Sequence, residues 1–216
     1  MKYKYIVWDF NGTIIDDVGV GIESVNPLLE KRGLKTIDSV EEYREKFTFP
    51  IIKYYSALGF DFDKEPYEKI AHEWVENYKR FSPSIKMTDG VRELIAYFDK
   101  LGLKQMILSA SEREMLEAKL FELGISDCFG EILALDNVYA HSKLDIAIAY
   151  FDTRDKREYL MIGDTTNDAE VARELDIDIA LVCAHHSRKK LELTGYPVFD
   201  SMKELSDKIK SGEFAI

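Results

Sequence analysis

The chain has 216 residues, 46% of them hydrophobic, a formal net charge of −11 and an isoelectric point near 4.9. That is enough apolar material to bury a core in one domain, or in one domain with a modest insertion. The acidic balance argues against a nucleic-acid or anionic-membrane surface, and the two cysteines, Cys128 and Cys183, sit beside apolar residues and read as small buried hydrophobes in a reducing compartment.

Met1-Lys2-Tyr3-Lys4 leads into the first strand without a hydrophobic leader, and no apolar run approaches the roughly 18 residues that span a bilayer. The expectation is a soluble, cytoplasmic protein. The run Tyr5-Ile6-Val7-Trp8, followed by Asn11-Gly12, predicts a buried strand that stops at a turn. Asp9 then emerges at the carboxyl end of a strand, the edge where open α/β sheets place ligands. From about Asp16 to Lys86 the pattern is helical, over Gly21–Gly33, Val40–Lys46, Pro50–Leu58 and Tyr67–Phe81. A crossover needs only about a dozen residues. The excess predicts an inserted helical domain, residues 16–84, hinged near Asp16-Asp17 and Ser82-Pro83-Ser84, with 1–15 and 85–216 forming the core.

Beyond the insertion, strands at Gln105–Leu108, Glu131–Leu135, Tyr159–Ile162, Ile179–Val182 and Val198–Phe199 alternate with helical segments. Gly90–Leu101 follows the capping pair Thr88-Asp89 and stops at Gly102; Glu112–Leu123 follows Ser111 and stops at Gly124. Ser142–Tyr150 and Thr166–Leu175 follow their own strands. The alternation predicts an α/β fold with a mostly parallel sheet covered on both faces.

Four features fall at the ends of successive strands: Asp9; Ser109; Lys143, in Ala140-His141-Ser142-Lys143; and Gly163-Asp164-Thr165-Thr166-Asn167-Asp168. Together they suit phosphoryl transfer. A carboxylate attacking a phosphate monoester brings two anions together, so a divalent cation must neutralise the encounter. Mg²⁺ takes octahedral oxygen ligands, commonly one or two carboxylates. Asp9 and Asp164 can supply them, and Asp168 can ligate or orient a water. Lys143 offsets phosphate charge, while the hydroxyls of Thr13 and Ser109 and nearby backbone N–H groups, Ala110 among them, bind phosphate oxygens.

In their order, Asp9-Phe10-Asn11-Gly12-Thr13, Ser109, Lys143 and Gly163-Asp164 through Asp168 resemble the four motifs of the haloacid dehalogenase-like hydrolase superfamily. The resemblance covers the whole chain and is greatest to the phosphoglycolate-phosphatase-like branch. It implies a Rossmann-like three-layer core with an inserted all-helical cap. It also implies an Mg²⁺-dependent phosphatase with Asp9 as nucleophile, phosphate held by Ser109 and Lys143, and metal held by Asp9, Asp164, Asp168 and the backbone carbonyl of residue 11. The substrate would be a small phosphorylated metabolite.

One position departs from that pattern. The family's phosphatases usually carry Asp two residues after the nucleophile, where it protonates the leaving oxygen and then activates water; this chain has Asn11. An amide does neither, and general acid–base catalysis typically contributes about 10²–10⁴-fold. Three explanations fit. Another group carries the proton, with His141, Asp16 and Asp17 as candidates; or the chemistry needs no acid there; or Asn11 is a deliberate replacement.

In the cap, Phe47-Thr48-Phe49-Pro50 joins two helices and exposes the N–H groups of Ile51 to Lys53 at a helix start. Arg44, Lys46, Lys53 and Tyr54 are candidate leaving-group contacts. Tyr54-Tyr55 and Trp74/Tyr78 read as cap packing, and His185-His186 as a solvated loop pair. Two other functions fit the sequence: a dehalogenase-type hydrolase on the same fold, and a weakly active or inactive regulatory protein that binds phospho-ligands.

Overall fold

A computed structural model describes residues 2–135 and 143–216, so Ala140, His141 and Ser142 lie outside the described residues. The central strand β1 (Tyr5–Trp8) is followed by β2 (Ile15–Asp16) and by four helices: α1 (Val18–Lys31), α2 (Val40–Lys46), α3 (Ile51–Ala57) and α4 (Tyr67–Phe81). The chain returns through β3 (Lys86–Met87) and α5 (Val91–Lys100) to β4 (Lys104–Glu112), α6 (Arg113–Glu122) and β5 (Glu131–Leu135). Then come α7 (Lys143–Phe151), β6 (Tyr159–Gly163), α8 (Thr166–Leu175), β7 (Asp178–Val182), α9 (Arg188–Glu192), β8 (Val198–Phe199) and α10 (Met202–Ser211).

The main sheet runs β5-β4-β1-β6-β7-β8, and its neighbouring strands are parallel throughout. From β1 the chain builds outward through β4 to β5, then returns to β6 on the other side of β1. That reversal opens a crevice at the carboxyl ends of the central strands, where α/β folds bind ligands. The period of two in β1 serves both faces. Ile6 and Trp8 join a core with Leu94, Phe98 and Ile107, while Val7 joins one with Met106, Phe151 and Val171. The Trp8 indole donates to Gln105 Oε1 at 3.1 Å, and the Gln105 amide donates to the Ile95 carbonyl at 3.0 Å. The polar atoms of this core are therefore paired.

Helices α1 to α4 enclose a further core built on Val25, Leu28, Leu29, Tyr55 and Ile70. Their bounds lie close to those the periodicity predicts. The two-residue strands β2 and β3 were not expected. They pair antiparallel, Ile15 with Met87 and Asp16 with Lys86, and set the chain's two passages into the helical insertion side by side.

Three local expectations are corrected. Helix α5 is capped by Gly90 in the left-handed region, not by Thr88-Asp89. Strand β4 continues through Ser111 to Glu112 because it keeps pairing with β5 after an irregularity, Glu112 opposite Leu135, so its helix starts only at Arg113. Cys128 is exposed in the turn before β5 and Cys183 is half-buried; both thiols are free. Among the described residues no helix is long and apolar enough to cross a membrane.

Candidate active site

Asp9 leaves β1 with its backbone N–H donating to the Ile162 carbonyl of β6 at 2.9 Å, which fixes its Cα over the crevice. The Lys143 ammonium, at the start of α7, donates to Asp9 Oδ1 and to Asp168 Oδ1, each at 2.5 Å. Asp168 is held by a capping box at the start of α8: its Oδ2 accepts from the Asp164 and Thr165 N–H groups and from the Thr165 hydroxyl. Asp9, Asp164 and Asp168 are all buried and bring ligand oxygens within 4.8 Å of one another. Gly163 gives Asp168 its room, since a Cβ there would lie 2.7 Å from the Asp168 side chain.

These charges set one another. Burial opposes the Lys143 charge, but Asp168 and Asp9 outweigh it and hold its pKa above the usual value. At Asp168 the same burial is overcome by Lys143 and by Thr165, which keep the carboxyl below its usual range. Burial pushes Asp9 up, Lys143 opposes it, and Asp168 and Asp164 add to it. Asp164 is also raised by burial, against the pull of His185. Its Oδ2 accepts from the His185 backbone N–H at 2.8 Å and faces His185 Nδ1 at 2.9 Å. Its Oδ1 is buried without a partner among the described residues. An orphaned carboxylate oxygen beside two more carboxylates is the donor set a hard divalent cation requires, so the residues present fit a metal.

Asn11 is enmeshed in hydrogen bonds. Its Nδ2 donates to Asp17 Oδ2 at 2.7 Å and to the Tyr78 hydroxyl at 3.0 Å, and its Oδ1 accepts from the Ser111 hydroxyl at 2.5 Å. Tyr78, on cap helix α4, donates to Asp17 at 2.9 Å, and Asp17 also accepts from the Gly12 N–H at 2.8 Å. The loop thus meets the cap through the Asp17 carboxylate and through the direct bond from Asn11 to Tyr78. Gly12 has φ +73°, and a Cβ there would lie 2.2 Å from His185 Nδ1 and 2.3 Å from Asp164 Oδ2. Only glycine fits at that approach.

Asp9, Asn11, Ser109, Ala110, Lys143, Asp164 and Asp168 all line one cavity of about 690 Å³ between core and cap. Thr13 does not. It is fully buried, and its hydroxyl has no partner among the described residues. Nor do Arg44 and Lys53 reach the cavity. Arg44 Nε donates to the Ala184 carbonyl at 2.6 Å, and Lys53 is exposed, its N–H given to the Pro50 carbonyl. Lys46 instead lies 3.7 Å from Glu42, along α2. Tyr54 does line the cavity, as do Tyr55, Trp74 and Tyr78, so the cap aromatics are wall as well as packing.

The histidine pair is buried, contrary to the solvated-loop reading. His186 Nδ1 accepts from the Thr166 N–H at 3.0 Å, so Nε2 carries the proton and donates to the Phe47 carbonyl at 3.1 Å. Burial and Lys190 lower its pKa to about 4, so the ring is neutral. Burial would also discharge His185, but Asp164, Asp17 and Asp9 outweigh it and raise its pKa to about 9. His185, Ser111 and the bonding of Asp17 and Tyr78 escape a motif search. The available signal for His185 was positional, since it follows β7 at the same carboxyl edge as the other site residues.

Fold and site together define a capped α/β hydrolase. The chain belongs to the haloacid dehalogenase-like hydrolase family, whose model matches residues 6–182. It is 23% identical over 189 residues to N-acetylmuramic acid 6-phosphate phosphatase of Pseudomonas putida, covering 84% of this chain and 83% of that protein. A haloacid dehalogenase-like hydrolase from Streptococcus pneumoniae superposes with a TM-score of 0.79 at 17% identity, over 94% of this chain and 97% of that one. CbbY from Rhodobacter sphaeroides, in complex with phosphate, superposes with a TM-score of 0.71 at 19% identity, over 94% and 96%.

Proposed function

We propose that this chain is an Mg²⁺-dependent phosphatase of a small organic phosphate monoester, acting through an aspartyl-phosphate on Asp9. The observation that carries the reading is the buried trio Asp9, Asp164 and Asp168 sharing one lysine at the edge of the sheet. The phosphatase among its relatives supports the same reaction class. Asp9, Asp164, Asp168 and the carbonyl of Asn11 would hold the cation. Bound there, Mg²⁺ would supply the positive charge that lets a carboxylate approach a phosphate.

The chain's own residues do the rest. An Asp9 oxygen attacks phosphorus, the P–O bond to the alcohol breaks, and the leaving oxygen keeps the electron pair. Lys143 and the groups around Ser109 and Ala110 hold the phosphoryl oxygens. Water then cleaves the aspartyl-phosphate. Residues 16–84 act as the cap that closes over the ester, and residues 1–15 and 85–216 as the catalytic core. The retained Asp164–Asp168 pair favours ester hydrolysis over dehalogenation, which needs no metal.

The test is phosphate release from a panel of small phosphate esters, with and without Mg²⁺. Release from at least one ester that disappears on chelation is the expected result. No release from any ester by folded protein at millimolar Mg²⁺ would leave the binding-protein alternative in its place.

A further inference from the structure

The wall that the cap contributes to the cavity is largely aromatic. Phe49, Tyr54, Tyr55, Trp74 and Tyr78 face it from the cap, and Met115 from α6. Trp74 stacks on Tyr78 with ring centroids 4.9 Å apart. The Tyr54 hydroxyl is buried and has no partner among the described residues, although Tyr54 lines the cavity. An uncompleted donor in an apolar wall is one that a ligand completes.

Away from the Asp9 cluster, the described residues of the wall offer no surplus of positive charge. The further lysines among them are Lys79 and Lys119, and they share the wall with Glu112 and Glu122. Lys119 is already tied to Glu122 at 2.7 Å and to the Ser82 carbonyl at 3.0 Å, and Lys79 is exposed. A leaving group with its own carboxylate or second phosphate would find the buried cations Lys119 and His185 already paired, with Glu122 and with Asp164, and a buried unpaired charge is costly. An uncharged ring meets no such cost. A cavity of about 150 Å³ with apolar walls already binds benzene, so one of about 690 Å³ holds a ring and its phosphate.

Asn11 points the same way from the opposite end of the bond. Its amide is committed to Asp17, Tyr78 and Ser111 and has no proton to give a departing alkoxide. Such a site favours an oxygen that leaves as a stabilised anion. When Asp9 bonds to phosphorus and the ester P–O bond breaks, an aryl oxide takes the electron pair into its ring and later a proton from water.

Resting on the phosphatase reading above, we infer that the substrate class is an aryl phosphate: one phosphate on an uncharged aromatic ring. The substrate would then differ from a phosphosugar carrying a second anion.

Two arms test this on the full chain with Mg²⁺. Calorimetry compares three inert phosphonates: benzylphosphonate, which replaces the ester oxygen of phenyl phosphate by carbon; 3-phosphonopropionate, which does the same for phosphoglycolate; and ethylphosphonate. Benzylphosphonate should bind at least tenfold more tightly than either of the others. Trp74→Ala should erase that margin, and Met115→Arg, which brings a cation to the wall, should shift it toward 3-phosphonopropionate even if the tryptophan variant does not fold. The second arm measures kcat/KM for phenyl phosphate, phosphoglycolate and glucose 6-phosphate, with phenyl phosphate expected to lead by at least tenfold. Phosphate release without a ring preference in either arm overturns the inference and leaves the phosphatase reading intact. Ring preference among the phosphonates with no release from any ester supports the ligand class and removes the phosphatase reading.

Discussion

Replacing Asn11 with aspartate sets a second carboxylate where the amide now donates to Asp17 Oδ2 at 2.7 Å. At that separation, and an effective dielectric of about 20, two full charges repel by roughly 6 kcal/mol. The pair escapes by keeping one proton, as close carboxylate pairs do, with one pKa raised by about 2–4 units. The sign follows from linkage. Unfolded carboxyls ionise near pH 4, whereas the folded pair keeps its proton to higher pH. Asn11→Asp should therefore cost little below about pH 4 and progressively more as pH rises, reaching about 3–5 kcal/mol above the raised pKa. That is a large share of a typical stability of about 5–15 kcal/mol. The assay is urea unfolding at pH 5 and pH 8 of the parent, Asn11→Asp and the double variant Asn11→Asp/Asp17→Asn, which restores one amide facing one carboxylate. The double variant should recover most of the loss at pH 8. The retained proton is also one the site can use, so alkyl esters should gain toward the general acid–base factor of about 10²–10⁴, and aryl esters much less. An equal effect of Asn11→Asp at both pH values would refute the pairing of residue 11 with Asp17.

Asp9→Asn, nearly isosteric, should abolish turnover while the melting temperature is kept; residual activity above about a tenth in steady-state assays would remove Asp9 as the nucleophile. Asp164→Ala should weaken Mg²⁺ binding more than Asp168→Ala by calorimetry, because Asp164 has an unpartnered oxygen whereas both Asp168 oxygens are already engaged. Bound Mg²⁺ should also raise the melting temperature of the parent. His185, with a pKa raised to about 9 from 6.5, stabilises fully below pH 6.5, and that contribution is lost as pH rises through 9. Its total is about 3 kcal/mol, so the stability gap between the parent and His185→Asn should narrow between pH 6 and pH 10. His186 runs the other way: with its pKa lowered to about 4, it makes stability fall as pH drops from 6.5 toward 4, and His186→Asn should flatten that limb in chemical unfolding.

The parallel sheet was legible because β1, β6 and β7 are short apolar runs, each ending at a turn, and β6 and β7 lead on to helices. The four cap helices were legible from apolar period and length. What could not be read is what depends on partners distant in sequence. Ser111 reads locally as a helix cap, yet pairing with β5 carries β4 past it. Arg44 and Lys53 look like anion ligands until the cap docks and turns one to a backbone carbonyl and the other to solvent. His185 and His186 look like loop residues, because burial by Phe47 and the start of α8 is invisible along the chain. Asn11 is the sharpest case. The sequence marks it as a missing acid, but only the fold reveals Asp17 and Tyr78 holding its amide.

The place of β1 in the sheet also bears on how the chain is made. Tyr5 leaves a ribosome well before either of its neighbours in the sheet, Lys104 on one side and Tyr159 on the other. Synthesis proceeds at about 5–20 residues per second, so both edges of this apolar strand wait for seconds before either partner exists. The cap helices emerge in that interval, and most of their contacts are made within their own segment. The nascent chain should therefore acquire a folded insertion before it owns a sheet, with β1 the segment most in need of a chaperone's cover.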